Sequence, residues 1–178
     1  MILASILLGP GSELTVADAM RSVIDHVDGF VLIESGGGLA ALEVANQVCD
    51  AASKTSAVRA YEWVGDCYGP ARNFALNTAR DLGADYVLTL DPDERLVFSE
   101  HWRAVIETNP TAEVFISRDK DDGYYKERVL KCKSDLAWEG PACEYMTGMT
   151  MPQVRIGIAF WELPKTPRWP NFWPMPKE

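Results

Sequence analysis

The chain has 178 residues, enough for one domain with its own hydrophobic core and no help from disulfides. It is 47% hydrophobic and 24% charged, the composition of an ordinary globular protein, and its net charge of −9 comes without the basic stripe of a duplex-DNA binder. Net charge does not exclude nucleotides, because a local site or a divalent cation suffices to hold a phosphorylated ligand.

Ile2–Leu8 is a continuous apolar run that stops at Gly9-Pro10-Gly11, with the length and the stop of a buried strand. Val16, Ala19, Met20, Val23, Ile24 and Val27 then recur at helical spacing, with Ser12 or Thr15 placed to cap that helix. Residues 30–33 read as a second buried strand closing in Glu34-Ser35-Gly36-Gly37-Gly38, residues 39–52 as a second helix, and residues 55–61 as a third strand. Ala71, Phe74, Ala75, Thr78, Ala79 and Leu82 mark another helix, and Gly83 sits where its C-terminal cap belongs. Residues 86–90 form a fourth strand that runs into Asp91-Pro92-Asp93-Glu94. Strands alternating with helices predict an open α/β sheet, in which ligands bind outside the carboxyl ends of the strands. The loops that begin at Gly9, Glu34 and Asp91 are therefore expected on one rim.

Beyond Glu94 the pattern changes. Residues 114–117 are apolar, Asp121-Asp122-Gly123 is a turn signal, and residues 124–132 alternate, which predicts a hairpin and a mixed or antiparallel second half. Pro164, Pro167, Pro170, Pro174 and Pro176, with Trp161, Trp169 and Trp173 interleaved, exclude helix and strand. Residues 1–160 are expected as a single domain and residues 161–178 as an extended tail. Its aromatics are expected to pack on the domain, on another copy of the chain, or at the acceptor side. Cys49, Cys67, Cys132 and Cys143 form no CxxC pair, which argues against structural zinc. The opening ten residues lack a basic start and are too short to span a bilayer, so a cytoplasmic location is expected.

The carboxylates of Asp91 and Asp93, two residues apart just past a buried strand, suit one hard divalent cation held between them and a diphosphate; Mn²⁺ or Mg²⁺ is the expected cofactor. Glu34 ends the second strand, where a carboxylate can accept hydrogen bonds from ribose hydroxyls or a base N–H. Arg72 opens a helix and is a candidate contact to phosphate or base. Glu144, in the polar loop Trp138-Glu139-Gly140-Pro141-Ala142-Cys143-Glu144, is a candidate general base for an acceptor hydroxyl.

These pieces, in this order from residue 2 to about residue 146, resemble the family 2 glycosyltransferases. The bacterial subgroup that modifies lipopolysaccharide core, peptides and proteins is the nearest in pattern. The resemblance rests on Glu34-Ser35-Gly36, on Trp63-Val64-Gly65-Asp66 followed by Ala71-Arg72-Asn73-Phe74-Ala75-Leu76, on Asp91-Pro92-Asp93-Glu94, on Arg128-Val129-Leu130, and on Gly140-Pro141-Ala142-Cys143-Glu144. It implies a GT-A fold, a Rossmann-like open mixed sheet flanked by helices with an antiparallel second half. It implies inverting transfer from a nucleotide-sugar, a UDP-sugar by preference, to an acceptor that is a glycan, a lipid-linked glycan, a protein or a modified base. The donor would lie against Leu8, Gly9, Pro10, Glu34, Ser35, Asp66 and Arg72. Asp93 would hold the metal, with Asp91 beside it on ribose or water, and Glu144 would act as base. Cys143 departs from the pattern, standing where the family has histidine.

Two other readings compete. Gly9-Pro10-Gly11, with Glu34 closing the next strand, partly matches a dinucleotide-binding fingerprint, but Leu14 occupies the third glycine position and Asp91-Pro92-Asp93-Glu94 stays unexplained. Cys143 motivates the other, a degenerate GT-A domain that binds nucleotide-sugar or a partner without turnover.

Overall fold

β1 (Ile2–Leu8) is the centre from which the sheet is laid out. It pairs in parallel with β2 (Gly29–Glu34) on one side and β4 (Tyr86–Thr89) on the other, and β2 pairs in parallel with β3 (Thr55–Ala60). Strands covered on both faces read as continuous apolar runs, which is why β1 and β2 are legible from composition alone. The computed structural model describes residues 1–63, 67–120, 123–140, 145–151 and 153–162.

The second half of the sheet is mixed. β7 (Tyr125–Lys131) lies antiparallel to both β4 and β6 (Val114–Asp119), β10 (Val154–Glu162) runs parallel to β6, and β5 (Glu94–Phe98) closes the edge antiparallel to β10. The order is β3-β2-β1-β4-β7-β6-β10-β5, and β8 (Ala137–Glu139) with β9 (Tyr145–Thr147) forms a separate small hairpin. The expected hairpin after residue 114 is β6–β7. Because β7 enters antiparallel beside β4, parallel winding stops after four strands. A dinucleotide-binding fold of the kind suggested by Gly9 and Gly11 continues instead with a second parallel half.

Side-chain alternation along the strands builds two cores. Ile2, Ala4, Ile6 and Leu8 of β1, with Phe30 and Leu32 of β2, pack with residues of α1 (Val16–Val23), α2 (Leu39–Ala51) and α4 (Trp102–Thr108). Leu3, Val31, Ile33 and Val87 face the other way, with Ala75, Leu76 and Ala79 of α3 (Tyr68–Asp81) and with Trp138 and Met146 of the β8–β9 hairpin. Each such Leu or Ile is worth about 1.5–3 kcal/mol of burial. Among the described residues no helix is long and apolar enough to cross a membrane.

Several local expectations are corrected. Neither Ser12 nor Thr15 caps α1 through its side chain: Ser12–Leu14 forms a tight 3-10 turn, and the Thr15 hydroxyl is buried without a partner. β5, α4, β8, β9 and β10 carried no clear pattern. β5 is five residues of alternating burial, α4 spans seven residues, and Gly157 interrupts the apolar run of β10. The strand β10 also carries regular backbone two residues past the expected domain end at 160.

One glycine matters for the rim. A Cβ on Gly38, at the start of α2, would lie 2.1 Å from the carbonyl oxygen of Leu8. The loop after β2 is thus pressed directly on the end of β1. Gly38→Ala should cost about 1–3 kcal/mol in urea unfolding, the usual penalty of overpacking; an unchanged midpoint would mean that the loop retreats from β1 without cost.

Candidate functional site

The first part of the rim is the junction of β1 and β2. Ser35 donates to the Leu8 carbonyl twice, from its backbone N at 3.0 Å and its hydroxyl at 3.1 Å. Glu34 Oε1 accepts the Gly38 N–H at 2.8 Å, and the Gly9 N–H donates to Ser12 Oγ at 3.3 Å. Leu8 is buried and Pro10 exposed. Glu34 therefore secures the entry to α2 as well as closing β2. Since β1, β2 and β4 are parallel, this junction and the Asp91–Glu94 turn share the carboxyl edge of the sheet, as expected.

The second part is a chain of charges. Arg72 on α3 donates to Asp91 Oδ1 at 3.1 Å, and Lys126 on β7 donates to Asp91 Oδ2. Lys126 also reaches Glu94 Oε1 at 2.7 Å, and Arg128 donates to Glu94 Oε2 at 2.7 Å. The Asp91 backbone N–H adds a bond to Glu94 Oε2 at 3.1 Å, and the Glu94 N–H closes the turn on the Asp91 carbonyl at 3.0 Å. Arg128 is fully buried and its second amino group donates to no one, while its first also donates to the Thr89 carbonyl at 2.6 Å. Asp93 lies half-buried in the turn between Asp91 and Glu94.

The electrostatics follow from this pairing. Burial pushes the Asp91 carboxyl up, but Arg72 and Lys126 outweigh it and hold the group well below the usual carboxylate range. Glu94 shows the same balance: burial raises it, Arg128 and Lys126 lower it, and the net direction is down. For Lys126, burial favours loss of the proton, yet Asp91 and Glu94 prevail and raise it above the ordinary lysine value. All three groups are held charged at neutral pH.

The helix that supplies Arg72 is docked by its neighbour. The Asn73 amide donates to the Trp138 carbonyl at 2.9 Å and accepts the Trp138 N–H at 2.7 Å, pairing α3 with β8 as a strand would. The Arg72 guanidinium lies 5.3 Å from the Trp138 ring centroid. Thus the structure brings together Arg72, Asp91 and Asp93 of the expected site and adds Glu94 from the same turn, with Leu8, Gly9, Pro10, Glu34 and Ser35 on the neighbouring junction. Asp66, Cys143 and Glu144, and the tail from residue 163, lie outside the described residues. Lys126 is the participant without a sequence signal of its own; the only hint was a second basic residue two positions before Arg128.

No family model matches the chain, and no curated protein matches it in sequence. Solved structures do match in fold. TarS of S. aureus is 14% identical with a TM-score of 0.58, over 78% of this chain and 30% of that one. Glucosyl-3-phosphoglycerate synthase of Mycobacterium tuberculosis, solved with Mn²⁺, UDP and glucosyl-3-phosphoglycerate, is 11% identical with a TM-score of 0.52, over 93% of this chain and 73% of that one. The 4-diphosphocytidyl-2C-methyl-D-erythritol synthase of Anaerococcus prevotii is 14% identical with a TM-score of 0.50, over 75% and 70%. The chain thus spans less than a third of the TarS chain it matches. At these identities the likeness is one of fold, and the fold is GT-A-like: an open mixed sheet flanked by helices, with an antiparallel second half.

The buried pairs make a stability prediction. Asp91 and Glu94 titrate below their unfolded values, so the unfolded chain binds more protons and stability falls as the pH is lowered. Their contribution should be whole above about pH 5 and decline as pH drops through and below about 4. Arg128→Met should cost about 3–5 kcal/mol at pH 7, because it leaves Glu94 buried with Lys126 as its remaining charged partner. It should also flatten the acid limb. Urea unfolding of both proteins across pH 3–7 checks this, and equal stabilities throughout would contradict it.

Proposed function

We propose that the chain binds a nucleotide-sugar on this rim and transfers the sugar, with inversion, to an acceptor hydroxyl, as a family 2-like glycosyltransferase with UDP-sugars as its donor class. The observation that carries the reading is a juxtaposition on a GT-A-like sheet. A two-loop junction suited to a nucleoside stands beside a carboxylate turn flanked by Arg72 and Lys126, on the edge where ligands of open α/β sheets bind. The neighbour solved with UDP and Mn²⁺ on the same fold supports it.

In this reading Leu8, Gly9, Pro10, Glu34 and Ser35 take base and ribose, Asp66 adds to the donor pocket, and Arg72 faces the diphosphate. The metal is the point at which the residues have to be tested. Both oxygens of Asp91 already accept from cations, and among the described residues no three His, Cys, Asp or Glu side chains converge. That donor set suits an ion of the Mg²⁺ or Mn²⁺ kind held by one carboxylate, Asp93, and completed by water and phosphate oxygens. An ion so held would offset the charge that develops on the leaving diphosphate. Asp91 then serves to hold Arg72 and Lys126 in place, and joins the ion only if one of them leaves. Glu144 is the proposed base, receiving the proton of the acceptor hydroxyl as that oxygen attacks the anomeric carbon from the face opposite the diphosphate.

A thermal-shift series with UDP, UDP-sugars and NAD, with and without Mn²⁺, tests the donor. UDP compounds with Mn²⁺ at about 100 times Kd should raise Tm by roughly 5–10 °C. Asp93→Asn should abolish the metal-dependent part and leave the fold intact, and Glu144→Gln should cut transfer while sparing UDP binding. Stabilisation by NAD and by no UDP compound would sink the reading. Donor binding without hydrolysis or transfer would select the non-catalytic alternative that Cys143 motivates.

A further inference from the structure

Lys126 occupies the space between two carboxylates of the very turn that the sequence marks for a divalent ion. Its ammonium bonds Asp91 Oδ2 and lies 2.7 Å from Glu94 Oε1. Arg72 covers Asp91 Oδ1 and Arg128 covers Glu94 Oε2. Every carboxylate oxygen of Asp91 and Glu94 is therefore already bound by a cation of the protein. A doubly charged ion approaching the turn meets the positive charge of Lys126 at short range, in surroundings that screen poorly.

We infer that Lys126 is a built-in cation that keeps divalent metal out of this turn until a nucleotide diphosphate arrives. The inference rests on the nucleotide-sugar reading above. Of the three cations, Lys126 is the one fitted to move. Arg128 is fully buried and bonded to Glu94, Thr89 and Ser117, and Arg72 lies against the Trp138 ring. The Lys126 side chain retains 22% exposure and is the second residue of β7, directly after Tyr125. An ammonium on a four-carbon stem can turn its donors from a carboxylate to a phosphate, which a planar guanidinium locked in a fork cannot do as readily. A diphosphate brings anionic oxygens for Lys126 and, with Asp93, oxygen ligands for the ion. Asp91 and Glu94 are then released from the ammonium at the moment when a second cation can be neutralised. Lys126 is thus a positioning residue that orders the site: nucleotide first or together with metal, never metal alone.

The test is Mn²⁺ titration of the full chain, read from the electron-paramagnetic-resonance signal of free Mn²⁺, with and without saturating UDP. Wild type should bind Mn²⁺ about 10-fold or more weakly without UDP than with it. Lys126→Met removes the charge and keeps much of the stem; it should bind Mn²⁺ without UDP about 10-fold more tightly than wild type. Lys126→Arg keeps the charge and should stay as weak as wild type. Equal Mn²⁺ affinity of wild type with and without UDP overturns the proposal. So does a Lys126→Met protein, folded by circular dichroism, that binds Mn²⁺ no more tightly than wild type. If Lys126→Met does not fold, Lys126→Gln, which also removes the charge, is read by the same criterion. The nucleotide-sugar reading fails separately, by UDP not binding wild type in any metal condition, and the nucleotide-free comparison of Lys126→Met with wild type still reads the role of Lys126.

Discussion

The Glu94–Arg128 ion pair is the contact around which the rim is organised. Both groups are buried, and the pair joins the first residue of β5 to the middle of β7. Removing two charges from water costs about as much as their attraction returns, so such a pair adds little net stability. Its effect is on the alternatives. Any arrangement that separates Glu94 from Arg128 leaves a buried charge without its counterpart, a much larger penalty than the pair itself contributes. Through its other donors Arg128 also reaches Thr89 at the end of β4 and Ser117 on β6. The turn from Asp91 to Glu94 is therefore clamped at both ends while Asp93, between them, keeps partial access to solvent.

A break in strand register makes this clamp possible. Along the β6–β7 pairing, Phe115 sits opposite Val129 and the next residue, Ile116, sits opposite Glu127. Arg128 is the extra residue of a β-bulge, a device that re-aims a side chain beside a site. Arg128 and Val129, although consecutive, both contribute to the α1 side of the sheet: the guanidinium lies 4.7 Å from the Phe160 ring centroid, and Val129 joins the same core. Lys126 lies 5.9 Å from that ring. One inserted residue thus sets two cations over one aromatic face and against the acidic turn.

The charge logic of the chain is local rather than global. A net charge of −9 does not describe the carboxyl edge of the sheet, where Arg72, Lys126 and Arg128 converge on Asp91 and Glu94. An anionic ligand responds to the groups within a few ångströms of it, because solvent and salt screen the remainder within about 8–10 Å. The cations of this edge are held in place by their pairing with Asp91 and Glu94.

What the amino-acid order determined by itself was the part of the fold governed by short-range pattern. β1, β2 and β4 and the helices between them are legible because those strands are largely buried and each helix carries an apolar stripe, so burial writes its period directly into neighbouring residues; β3, exposed along nearly all of its length, carries no such period. The acidic turn was legible for the same reason, being an abrupt polar stop after an apolar run. β5 and α4 were not, since elements of five and seven residues leave too few periods to read; in the nine-residue β10 the run is broken by Gly157, where a Cβ would lie 2.1 Å from Ser99 Oγ. The cationic partners of Asp91 and Glu94 belong wholly to tertiary structure. Arg72 is 19 residues from Asp91, Lys126 is 35 residues away, and Arg128 is 34 residues from Glu94. No local spacing encodes those separations. They become ion pairs because β7 runs antiparallel beside β4 and slips by one residue at Arg128, and an ion pair depends on distance in space, which only the assembled sheet sets.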